Sequence, residues 1–143
     1  MKKVFLDSSV LVAASASTSG ASALILGYCR KMNIKGCVSL DVVGEARKNI
    51  NLKFGIKEKN RFKFFLKHAR LAITNQATFE NISEAEKVIA PKDAPILAAY
   101  KDSSAEFLIT LDRKHFLKPE VANFVKGKKI LTPGEFVQKY IKI

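Results

Sequence analysis

The chain has 143 residues, 48% of them hydrophobic, which suits one compact core and leaves too few for two ordinary domains; one domain over 1–143 is expected. Lys and Arg total 25 against 13 Asp and Glu, a net charge of +12 that suits a polyanionic partner or a plain lysine-rich surface equally. No window reaches 18 consecutive apolar residues, and Cys29 and Cys37 lack both a C-x-x-C pair and zinc spacing, arguing against a membrane span and a structural zinc.

Met1, Lys2 and Lys3 followed by apolar residues have the charge pattern of a secretory leader, but Asp7, Ser8 and Ser9 interrupt the apolar run early. Lys3 to Leu6 therefore reads as a buried strand, and the cytoplasm as the expected compartment. Ser8 or Ser9 then caps a helix that starts near Val10. Thr18 or Ser19 caps a second helix, with Ala21, Leu24, Ile25 and Tyr28 at helical spacing, ending near Asn33 before a Lys35-Gly36 turn. Cys37 to Leu40 reads as the second strand.

Asp41 is the natural cap of a third helix running to about Lys53, and Gly55 separates it from a basic helix over Lys57 to His68. Leu71 to Thr74 is the third strand. A short helical stretch over 82–90 meets Pro91, and Asp93 opens a helix through Tyr100 to about Ser104. Phe107 to Leu111 is a strand, Glu120 to Val125 a short helix, Lys129 to Leu131 a last strand, and Pro133 opens a closing helix through Tyr140. Strands alternate with helices, and helices supply the crossovers that parallel strands require. The expected class is α/β: a three-layer α/β/α sandwich with a central, mostly parallel sheet of four to five strands.

Asp7 and Asp112 each follow an expected strand, at the carboxyl edge where α/β sheets open their crevices. Asp93 shares a helical stripe with Ile96, Leu97 and Tyr100, so it points inward as a ligand or caps the helix. Glu45 flanks the stripe of Val42, Val43, Ala46 and Ile50, and Lys48 at i+3 could pair with it on the surface. Asp7 and Asp112 likewise have plain readings as a cap and a turn residue. Together the four are costly as mere structure, because clustered buried carboxylates repel one another unless a cation compensates them. Mg²⁺ or Mn²⁺ takes such oxygen ligands and can activate water against a phosphodiester.

Four segments, Val4 to Val12, Glu45 after the second strand, Pro91 to Ala99 and Leu108 to Phe116, resemble PIN-domain ribonucleases in order and spacing over nearly the whole chain. The resemblance implies a PIN-like α/β/α sandwich whose acids, here Asp7, Glu45, Asp93 and Asp112, hold Mg²⁺ or Mn²⁺ for RNA hydrolysis. It also implies a VapC-like toxin with a cognate antitoxin, and a homodimer. Ser8 or Ser9 and Thr110 match small polar positions that support the ligands in that family. Ser8-Ser9 departs from the commoner Thr-Asn or Thr-Ser, and helix capping and strand propensity explain the same three residues.

Arg47, Lys48, Arg113 and Lys114, with Lys53, Lys57, Lys59 and Arg61, are candidates to track an RNA backbone, though each also suits a solvated face. His115 invites a general-acid reading but reads first as a partly exposed turn residue, and His68 as a cation at a helix C-terminus. The apolar residues of the first helices or of Phe62 to Leu66 could form a dimer surface or simply core. Two other readings compete. A noncatalytic RNA-binding scaffold would bind RNA without cleaving it. Phosphoryl transfer through Asp7 is disfavoured, because haloacid-dehalogenase-like enzymes want an Asp where Ser9 stands.

Overall fold

A computed structural model describes residues 1–141; residues 142 and 143, part of the expected 1–143 domain, lie outside the described residues. Five strands form one sheet: β1 (Lys3–Leu6), β2 (Lys35–Val38), β3 (Ala72–Ile73), β4 (Phe107–Ile109) and β5 (Lys129–Leu131). Their order is β3-β2-β1-β4-β5 and every pairing is parallel. The connections are helical: α1 (Ser8–Ala16), α2 (Ala21–Arg30), α3 (Leu40–Lys53), α4 (Ile56–His68), α5 (Phe79–Ala85), α6 (Ala94–Asp102), α7 (Arg113–Phe116), α8 (Pro119–Phe124) and α9 (Pro133–Tyr140). Helices flank the sheet on both faces, the α/β/α sandwich expected.

β1 lies at the centre, and Val4, Phe5 and Leu6 are all fully buried, as a parallel strand covered on both faces must be. Val4, Phe5 and Leu6 pair with Phe107, Leu108 and Ile109 of β4. The ladder continues one step, with Asp7 N donating to Ile109 O at 3.0 Å, so the residues following β1 and β4 emerge side by side. α6 is buried over nearly its whole length, and its Tyr100 hydroxyl lies 3.0 and 2.9 Å from the carbonyls of Glu106 and Lys129. That contact ties α6 to the starts of β4 and β5.

Several local expectations yield to tertiary structure. Gly36 belongs to β2 rather than to a turn, paired with Val4 of β1, and a Cβ there would come within 2.7 Å of Leu71 Cδ2 and 2.8 Å of Cys29 Sγ. α2 starts after Gly20 rather than at Thr18 or Ser19, and stops at Arg30, where Met32 turns to φ 62°. Ser39, not Asp41, caps α3 by accepting from Val42 N. Thr132 and Glu135 form a reciprocal capping box at α9. Cys29 and Cys37 are free and buried, and burial pushes their thiols up to about 12 and about 11. No helix among the described residues is long and apolar enough to cross a membrane.

Candidate metal centre

Chain order reverses at β1: β2 and β3 extend the sheet on one side, β4 and β5 on the other. A crevice therefore opens at the carboxyl ends of β1 and β4, between the loops that diverge from them. Asp7 takes the residue after β1, and Thr110, Leu111 and Asp112 carry the chain out of β4.

Asp7 is 4% exposed, and its Oδ2 accepts from both the Ser9 and the Thr110 hydroxyls at 2.8 Å. Each hydroxyl also accepts a main-chain N–H: Ser9 Oγ from Leu111 N and Thr110 Oγ1 from Asp112 N, both at 3.0 Å. One carboxylate is thus stitched to the opposite loop through two hydroxyls whose donor and acceptor capacities are both engaged. Neither serine caps α1. Asp7 holds the cap position without a side-chain cap bond, because its oxygens face the neighbouring strand. Ser8 is buried and its hydroxyl donates to Glu45, so both serines serve carboxylates instead.

Glu45 is half-buried on α3 and makes no ion pair with Lys48 among the described residues. Burial raises its carboxyl pKa, the Ser8 hydrogen bond opposes that rise, and the charges of Asp7 and Asp93 add to it. Asp93 is also 4% exposed and takes the cap position of α6 without a side-chain cap bond. Its Oδ2 is buried without any hydrogen-bond partner. Burial raises this carboxyl as well; Lys92 opposes the shift, while Asp112 and Asp7 reinforce it. Asp112 does cap: its Oδ1 accepts from His115 N at 3.1 Å, and His115 Nδ1 sits 3.0 and 2.8 Å from its two oxygens.

A hollow of about 400 Å³ is lined by Asp7, Glu45, Asp93 and Asp112, with Ser8 and Ser9 on its wall. Four parts of the chain thus bring their acids to one place. Among the described residues the tightest ligand group is Asp93, Asp112 and His115, one ligand atom from each lying within 4.8 Å of the others. Arg47, Lys48, Arg113 and Lys114 do not line this hollow; Lys53 and Lys92 do. Arg47 stacks instead on Phe62, its guanidinium carbon 5.8 Å from the ring centroid, and Arg61 donates to Ser15 O at 2.6 Å. Arg113 and Lys114 are exposed in the turn directly after Asp112.

Sequence reasoning missed two neighbours of the acids. His115 stands three residues after Asp112, a spacing that places both on one side of a helical turn. Lys92 precedes Asp93 and lines the hollow beside it.

The PIN domain family model matches residues 3–114. No curated protein gives a significant match. A chain from the crystal structure of VapBC2 from Rickettsia felis bound to a DNA fragment from their promoter superposes with a TM-score of 0.65 at 17% identity, covering 90% of this chain and 96% of that one. At that identity the likeness is one of fold. The matched span of the family model contains all four acids and both hydroxyl residues that hold Asp7.

Proposed function

The chain belongs to the PIN-domain family, and from that premise we propose that it is a Mg²⁺- or Mn²⁺-dependent endoribonuclease hydrolysing RNA phosphodiester bonds, a VapC-like toxin acting as a single domain over 1–143. The observation that carries this reading is the convergence of Asp7, Glu45, Asp93 and Asp112 on one hollow, with a buried Asp93 oxygen left without a partner. Such an oxygen is costly alone and is relieved by a cation. The four acids form an all-oxygen donor set, which fits a hard divalent ion, and they are the residues that would hold it. When bound, that ion supplies positive charge that acidifies an attacking water and offsets charge building on the phosphoryl oxygens.

The protein's own groups do the positioning. Ser9 and Thr110 hold Asp7, and Ser8 holds Glu45, so these carboxylates are oriented before any ligand arrives. Lys53 and Lys92 on the hollow's wall offer charge to an RNA backbone, and Arg113 and Lys114 extend it along α7 after Asp112. A cognate antitoxin and a second copy of the chain are the protein partners this reading carries, and the cytoplasm is its compartment.

The test is cleavage of single-stranded RNA by wild type and Asp7→Asn, with and without EDTA. Activity should require the divalent ion and fall by orders of magnitude in the variant at unchanged thermal stability. Full cleavage by folded Asp7→Asn would overturn the reading.

A further inference from the structure

Asp112 faces a ring nitrogen rather than a lysine or arginine, and that choice has chemical content. His115 Nδ1 lies 2.8 Å from Asp112 Oδ2 and 3.0 Å from Oδ1, and the pair shares its small space with Asp93. With its proton on Nδ1 the imidazole donates to Asp112. With the proton on Nε2 it presents a lone pair at the same point, so a cation held by Asp93 and Asp112 can take the place of that proton within reach of Nδ1. Asp93 Oδ2 is buried without a hydrogen-bond partner, an independent sign that this carboxylate suits a cation.

We infer that His115 is a nitrogen ligand to the cation held by Asp93 and Asp112, and that it biases this centre toward Mn²⁺ and against Mg²⁺. The inference deepens the metal-dependent reading above and rests on it. Mg²⁺ is small, demands near-ideal octahedral geometry and keeps oxygen ligands, so an imidazole is a poor member of its shell. Mn²⁺ accepts carboxylate oxygens equally well, and as a transition ion it gains from a borderline nitrogen donor. A site made only of carboxylates has no such means of separating the two ions.

The chain has only two histidines. The other, His68, packs on Phe64 of α4 with ring centroids 4.6 Å apart, so a nitrogen signal from the metal is readily assigned. Mn²⁺ is titrated into the full chain and into His115→Ala and His68→Ala, and pulsed electron paramagnetic resonance reads imidazole nitrogen coupling to bound Mn²⁺. Mg²⁺ affinity is measured by competition, and circular dichroism confirms folding of each variant.

The expected result is coupling in wild type and His68→Ala that disappears in His115→Ala, with Mn²⁺ affinity falling by about tenfold or more. Mg²⁺ affinity should fall far less, so the Mn²⁺ preference shrinks. Bound Mn²⁺ without nitrogen coupling, or equal weakening of both ions in His115→Ala, overturns the ligand role and leaves the acidic centre standing. Absence of Mn²⁺ binding to wild type overturns both that role and the metal-dependent reading.

Discussion

Thr110 lies between two acids, donating to Asp7 and accepting from the main chain of Asp112, and it is fully buried. Thr110→Val keeps the shape and removes both bonds, leaving a main-chain N–H without its acceptor. Denaturation should show a loss of about 1–3 kcal/mol, and cleavage should slow by about 10–100-fold. An unchanged cleavage rate would reduce Thr110 to a packing residue. Glu45 and Asp93 carry a second expectation. Because burial raises both carboxyls, the metal-free fold binds protons more tightly than the unfolded chain. The contribution of these two groups to stability is therefore fully present at and below the ordinary carboxylate pKa and is lost as pH rises through the raised values. A bound cation favours the ionised acids, so the Tm gain from Mg²⁺ or Mn²⁺ should be larger at about pH 8 than at about pH 5. Melting curves with metal and with EDTA check this, and an equal gain at both values counts against it. Asp7, Asp93 and Asp112 were legible in the sequence because each falls at an element boundary, whereas Glu45, inside α3, was marked only by its place beside an apolar stripe and by the family resemblance. The supporting role of Ser8 and Ser9 was legible only through the family resemblance, and the partner of His115 not at all, since a hydroxyl or imidazole that can serve its own helix gives no sign by itself that a carboxylate claims it.

At the level of elements, the alternation of strands and helices was readable because apolar runs and breakers mark each segment. Boundaries shifted where packing overrode local preference. Gly36 looked like a turn residue beside Lys35, yet in β2 it pairs with Val4 of β1, where Leu71 and Cys29 crowd the place of a side chain. Gly36→Ala should destabilise the fold by about 1–3 kcal/mol, as overpacking does. Chemical denaturation would reveal it, and a neutral substitution would mean that Leu71 swings aside freely. The expected strand over 107–111 stops at Ile109: Thr110 still donates its main-chain N–H to Leu131 O at 3.0 Å, and its hydroxyl, donating to Asp7 and accepting from Asp112 N, turns the chain out of the sheet. α7 escaped sequence reading altogether. It is four residues long, and the carboxylate that starts it by accepting from His115 N also belongs to the acidic hollow.

Across the whole molecule, a cluster of acids is embedded in a chain of net charge +12. RNA binding should weaken linearly in log salt, with a slope of about 0.7 per phosphate neutralised on a single strand. Asp7→Asn removes a negative charge without removing a cation, so it should keep that slope while losing cleavage. Filter binding across a salt series would show this, and salt-independent binding would deny the basic surface its role. The parallel sheet followed from alternation, but its order did not, because one sequence shows which elements exist and not which strands lie side by side. That order has a consequence for biosynthesis. The bond from Thr110 to Asp7 spans 103 positions, and β1 meets β4 only after the intervening helices exist. At roughly 5–20 residues per second on the ribosome, a nascent chain spends several seconds carrying its first acid with nothing to complete it. A product truncated before Thr110 would lack both Asp112 and the hydroxyl that holds Asp7, so on the proposed reading it would carry the first acid without the means to use it.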